Sequence, residues 1–77
     1  MIVDINIGED NVIFQPSLGN TFKTNDIGKE ILIKIKQGKN KEEILQELMN
    51  KYEIDYDTLF IDLEDFISKL KIYGVVK

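Results

Sequence analysis

The spacing of the apolar residues changes near residue 25, and this change restricts the chain to few folds. Before it, apolar side chains alternate, which places Val3, Ile5 and Ile7 on one face of a strand. After it, they recur every third or fourth residue, as in an amphipathic helix. Because a few short strands are not stable alone, they need to pack against the helices that follow. The pattern predicts an α+β domain with its strands before its helices.

Three short strands are predicted in the first 24 residues. The first carries the alternation described above, and residues 8–11 have the composition of a turn. The second covers residues 12–15 and ends at Pro16, because proline cannot donate a backbone hydrogen bond. The third covers residues 21–24 and has little apolar content. Two hairpins in so short a segment predict a three-stranded antiparallel sheet.

Three helices are predicted after the sheet, each with a side chain that can cap its start. The candidate caps are Thr24 or Asn25 for the first, Asn40 with Glu43 for the second, and Asp55 or Asp57 for the third. Gly38 and Gly74 end the first and third helices. The predicted architecture is a winged helix-turn-helix in one domain over residues 1–77, with residues 1–24 as a β wing and residues 25–77 as the three-helix part.

The composition argues against catalysis and against bound metals or cofactors. The 77 residues include no cysteine and no histidine, so thiolate chemistry, the commonest general base and the commonest metal ligand are missing. Asp62 and Asp65 lie three residues apart on the third predicted helix, but such a pair is typical of a solvated helix face. The chain is therefore expected not to be an enzyme, with no catalytic residue, no metal site and no cofactor.

The charge and the hydropathy exclude two further classes of partner. Ten basic and fourteen acidic residues give a net charge of −4, and the third helix opens with acids, which disfavours nucleic acid. The longest apolar run is residues 59–61, too short to span a membrane. The first residues lack the pattern of a signal peptide. A cytoplasmic protein without nucleic-acid or membrane partners is expected.

The third strand and the third helix together predict a groove. The strand is short and polar, as expected at the edge of a sheet. The helix has one apolar stripe at positions 63, 67 and 70, and a neighbouring stripe formed by Leu59, Asp62, Phe66, Lys69 and Tyr73. If the first stripe packs inward, the second lines a groove that can accept an extended peptide as an added strand. Alternatively, the apolar members of the second stripe complete the core.

Several short motifs lie after residue 24. They are Asn25-Asp26-Ile27-Gly28 before Ile31-Leu32, Gly38 before Lys41-Glu42-Glu43-Ile44 and Leu48, and Asp62-Leu63, Phe66-Ile67, Leu70 and Gly74-Val75-Val76. Together they resemble the PqqD family, the recognition elements that bind leader peptides of ribosomally synthesised and modified peptides. The motifs cover about two-thirds of the chain, and the order of strands and helices also agrees.

The resemblance implies a binding site for a leader peptide. In the family, the leader docks antiparallel to the third strand and against the third helix. Carried onto this sequence, the site is formed by Thr21, Phe22, Lys23, Thr24, Leu59, Asp62, Phe66, Lys69 and Tyr73. Family members often have an apolar residue where this chain has Thr24. The family has no catalytic residues to carry over.

The resemblance also implies two partners, the precursor's leader peptide and a maturation enzyme such as a radical SAM protein or a leader peptidase. The enzyme is a separate protein for a free-standing family member, whereas many relatives are domains fused to their enzyme, and the sequence leaves both arrangements open. The open strand edge makes a monomer or a weak dimer the expected state. Acidic residues of the third helix, at positions 57, 62, 64 and 65, favour a leader that carries Lys or Arg. The alternative function is that of an acidic winged-helix regulator or protein-interaction domain.

Overall fold

A computed structural model describes residues 3–76, so residues 1, 2 and 77 of the predicted domain lie outside the described range. The strands are β1 (Asn6–Ile7), β2 (Val12–Gln15) and β3 (Asn20–Lys23), and the helices are α1 (Asp26–Lys36), α2 (Lys41–Tyr52) and α3 (Tyr56–Ile72). A 3₁₀ turn (Pro16–Leu18) joins β2 to β3. The predicted α+β fold, a three-stranded antiparallel sheet followed by three helices, is confirmed, and it is compatible with a winged helix-turn-helix.

The sheet has the order β1-β2-β3, and both pairs of strands are antiparallel. Ile13 in the central strand is level with Ile7 on one side and with Phe22 on the other. The first strand is shorter than predicted, because Val3 forms an isolated bridge with Val76 instead of extending the pairing with β2. The N-terminal and C-terminal segments of the described chain therefore pair with each other.

The core lies between the inward face of the sheet and the three helices. Its fully buried side chains come from β2 and from every helix, and include Ile13, Leu32, Ile44, Leu48 and Leu63. The period-2 positions of the first segment and the helical stripes meet in one cluster. The apolar pattern of the sequence therefore predicts which faces are buried.

Side chains cap all three α-helices. Asn25 accepts a hydrogen bond from the backbone N–H of Gly28 at 2.7 Å, so Asn25 rather than Thr24 caps α1. The side chain of Asn40 and that of Glu43 form the predicted capping box at the start of α2. Asp55 rather than Asp57 caps α3. Each cap satisfies backbone donors that have no partner inside the helix.

Ion pairs join α1 to α2 at the surface. Lys51 bonds to Glu30, and this hydrogen bond holds the pKa of Glu30 below its ordinary value. Lys39 and Lys34 both bond to Glu47 and lower the pKa of that carboxyl, Lys39 the more strongly. Within residues 3–76, no helix has the length and the apolar character needed to cross a bilayer.

Candidate functional site

β3 lies at the edge of the sheet, and within residues 3–76 it pairs with β2 alone. The backbone N–H of Thr24 donates to the carbonyl oxygen of Asn11 at 3.1 Å. This hydrogen bond identifies Thr24 as a residue whose backbone groups point towards the segment of β2. In an antiparallel ladder, successive residues direct their backbone groups to alternate sides. The N–H and C=O groups of Thr21 and Lys23 therefore point away from β2. They form a row of donors and acceptors at the open edge.

A groove of about 460 Å³ lies between this edge and the C-terminal half of α3. Phe66 and Lys69 of α3 and Tyr73, the residue directly after this helix, follow one another at helical spacing along one side, so they form the helix wall of the groove. The complete lining is Gln15, Asn20, Thr21, Phe22, Lys23, Thr24, Phe66, Lys69, Leu70, Tyr73 and Val75. The groove therefore offers backbone groups on one wall and mainly apolar and aromatic side chains on the other.

Most of the residues predicted for the site lie in this groove. All four residues of the predicted strand edge line it, together with Phe66, Lys69 and Tyr73. Phe66 has a second role, because its half-buried ring also packs against the core. The ring of Phe66 therefore contributes both to the groove wall and to the packing around the core, so both interpretations of the helix stripe apply to it.

Leu59 and Asp62 lie outside the groove, contrary to the sequence-based expectation. Leu59 is 2% exposed and belongs to the core. It is eleven residues before Leu70, which is about three turns at roughly 3.6 residues per turn, so both side chains share the inward face of α3. Asp62 is exposed, one turn before Phe66 and beyond the lining of the groove.

Gln15, Leu70 and Val75 line the groove but were not predicted from the sequence. Gln15 is the buried polar residue of the described chain, 3% exposed, and its Nε2 donates to the carbonyl oxygen of Tyr73 at 3.2 Å. One signal was present in the sequence: Gln15 follows Ile13 by two positions and so shares its inward face. A polar residue at such a position needs a partner, and the partner here is a residue of the groove.

The charges of the groove are opposite in sign to those of the whole protein. Lys23 and Lys69 line it, and no Asp or Glu of residues 3–76 does. Lys69 forms an ion pair with Asp65 at 3.1 Å, and both side chains are largely exposed. The acids at positions 57, 62 and 64 also lie outside the lining. The acidic surface that was expected to favour a basic leader therefore does not form the groove.

Fold and groove together define a small α+β domain with an unpaired strand edge beside an aromatic helix wall. The PqqD family, described as coenzyme PQQ synthesis protein D, matches residues 10–76. The chain belongs to this family, as the sequence motifs indicated.

A solved structure described as lasso peptide synthetase B1 complexed with the leader peptide has the same fold. Its TM-score with this chain is 0.78 at 22% sequence identity, over 92% of this chain and 87% of that one. At this identity the likeness establishes the fold. No curated protein matches the sequence.

Proposed function

We propose that this protein is a non-catalytic adaptor that binds the leader of a ribosomally synthesised precursor peptide and presents it to a maturation enzyme. The single observation that carries the proposal is the open edge of β3 beside the aromatic wall of α3. Membership of the PqqD family supports it, and so does the solved structure of similar fold, which contains a leader peptide. The partner is a maturation enzyme such as a radical SAM enzyme or a leader peptidase.

Strand addition explains how such a groove binds a flexible peptide. The backbone groups of Thr21 and Lys23 at the open edge are available to an added strand and supply affinity for any sequence. Side chains of the added strand alternate, so every second one points into the groove towards Phe22, Phe66 and Leu70. Because an unfolded leader loses conformational entropy on binding, a few apolar anchors need to offset that cost. Selectivity then comes from the anchors.

The proposal is tested with a fluorescently labelled leader from the precursor peptide encoded beside this protein, titrated by fluorescence anisotropy. The decisive variant is Thr21→Pro, which removes one N–H at the open edge and places a ring there. Proline is tolerated on an edge strand where its N–H would face solvent, so the sheet is expected to remain intact. Thr21→Ala keeps the N–H and is the matched control.

Saturable binding by the wild type and by Thr21→Ala, together with at least tenfold weaker binding by Thr21→Pro, is the expected result. A scrambled leader should not bind. Circular dichroism spectra show whether each variant is folded. Equal affinities for the proline and alanine variants would exclude strand addition at this edge, and a folded wild type that binds no leader would count against the adaptor function.

A further inference from the structure

We propose that the leader segment bound in the groove carries an acidic residue between two apolar residues, with the acid beside Lys23. This inference rests on the proposed function and narrows its ligand to one class of peptide. It comes from two observations at the groove: the alternation of side chains along β3, and the sign of the charges that line it.

The alternation along β3 gives its two faces different chemistry. Phe22 is half-buried, packs against the core and is level with the fully buried Ile13, so its side chain lies on the helix side of the sheet. Thr21 and Lys23 are exposed, and their side chains lie on the other side. A strand added at this edge continues the same two faces. Its inward side chains therefore meet an apolar wall, and its outward ones lie beside Thr21 and Lys23.

The charge at the outward face is positive. Lys23 is exposed and forms no ion pair with any residue in the range 3–76. The other cation of the lining, Lys69, is paired with Asp65. An acidic side chain placed opposite Lys23 gains a cross-strand ion pair, whereas a basic one is repelled. An apolar–acidic–apolar alternation therefore fits both faces of the edge.

The net charge of −4 opposes the local attraction to Lys23, because at longer range it repels an acidic peptide. Added salt weakens this repulsion and the local ion pair together, so ionic strength alone does not separate them. Reversing the charge of single residues separates the long-range repulsion from the local ion pair. Lys71 provides the matched control, because it is exposed at the end of α3 and lies outside the lining of the groove. Lys23→Glu and Lys71→Glu change the net charge equally.

The experiment measures the affinity of the neighbouring precursor's leader for the wild type, Lys23→Glu and Lys71→Glu by anisotropy. A cross-strand ion pair corresponds to about a 1.4- to fivefold change in Kd, and reversal adds repulsion, so Lys23→Glu should weaken binding about fivefold relative to Lys71→Glu. Replacing the leader's acid by Gln should weaken binding to the wild type and to Lys71→Glu, which both keep Lys23, but not to Lys23→Glu. Replacing it by Lys should restore binding to Lys23→Glu.

Two results would overturn the inference while leaving the adaptor function in place. One is a leader that binds at the β3 edge but has no acid flanked by apolar residues. The other is equal binding by the two charge-reversal variants, both shown to be folded by circular dichroism. A folded wild type that binds no leader would instead reject the proposed function, and this inference with it.

Discussion

The side chain of Gln15 donates a hydrogen bond from Nε2 to the backbone carbonyl oxygen of Tyr73 at 3.2 Å. The bond joins the last residue of β2 to the residue after α3, which is 58 positions later in the chain. A carbonyl at the end of a helix has no donor within the helix, so Gln15 supplies one. Both residues line the groove, and the bond therefore fixes the position of the helix wall relative to the sheet.

Replacing Gln15 by Leu should lower both stability and leader affinity. The substitution removes the donor and leaves the Tyr73 carbonyl without its partner, which costs about 1–3 kcal/mol. The unfolding free energy from urea titration measures the first effect, and leader anisotropy measures the second. Gln46→Leu, on an exposed position of α2, is the control. If Gln15→Leu matched that control in both measurements, the hydrogen bond would have no role in shaping the groove.

A second close contact lies at the other end of the groove, where α1 begins. A Cβ atom on Gly28 would overlap Oγ1 of Thr24, and it would lie 3.1 Å from Oδ1 of Asn25 and 3.2 Å from Cε2 of Phe66. Of these neighbours, Thr24 and Phe66 line the groove. The absence of a side chain at position 28 therefore allows α1 to approach the groove closely.

Gly28→Ala should destabilise the protein, although alanine favours a helix over glycine by about 1 kcal/mol. The overlap forces Thr24 and Phe66 to move, and overpacking of this kind costs about 1–3 kcal/mol. Thr24→Ala removes the nearest of these atoms, Oγ1 of Thr24. The double variant should therefore recover part of the stability that Gly28→Ala loses, as measured by urea unfolding against Thr24→Ala alone. A Gly28→Ala protein more stable than the wild type would show that the two side chains adjust freely.

Local signals in the sequence were sufficient to predict the order of the elements. The alternation around Ile5 and the capping box at Asn40 depend on residues close in sequence, and both are present in the structure. The pairing of Val3 with Val76 is different, because it joins the two ends of the described chain. Periodicity carries no information on such a contact, so the first strand was predicted too long.

The sequence predicts the groove only in outline, because local patterns carry no information on contacts between residues that are distant in sequence. The edge strand and the helix stripe follow from local patterns, but the part of the helix that faces the strand depends on how the helix packs. The C-terminal half of α3 lines the groove, from Phe66 to Tyr73, whereas Leu59 is turned into the core. Gln15 was not identified because its partner is distant in sequence.

Truncating Leu59 and truncating Tyr73 should affect different properties: the first should lower stability, and the second should weaken leader binding. Leu59→Ala removes a core side chain and should lower the unfolding free energy by about 2–5 kcal/mol. Tyr73 is 67% exposed, so Tyr73→Ala should change stability by only about 0.5 kcal/mol while weakening leader binding. Urea unfolding and anisotropy on the same samples give both values. Comparable stability losses for the two variants would contradict the assignment of Leu59 to the core and Tyr73 to the groove.

The cap of α3 should make stability depend on pH in the acid range. Asp55 accepts hydrogen bonds from the backbone N–H of Thr58 at 3.0 Å and from its hydroxyl at 2.8 Å. These bonds, the backbone one first, hold the pKa of Asp55 below its ordinary value. Since the pKa is lower in the folded state, the stabilisation is fully present above the unfolded pKa of about 3.9 and is lost as the pH falls through the folded pKa.

Asp55→Asn keeps an oxygen that can cap the helix but removes the titrating group. The wild type should be the more stable protein at pH 7, and its advantage should shrink from about pH 4 downward, because only the wild type takes up a proton at this cap. Thermal unfolding followed by circular dichroism between pH 7 and pH 2.5 measures the difference. Asp57→Asn removes a carboxylate from the same helical turn without removing a cap, and so it controls for the change in charge. A constant difference between the wild type and Asp55→Asn over this range would show that the carboxylate of Asp55 does not couple to folding.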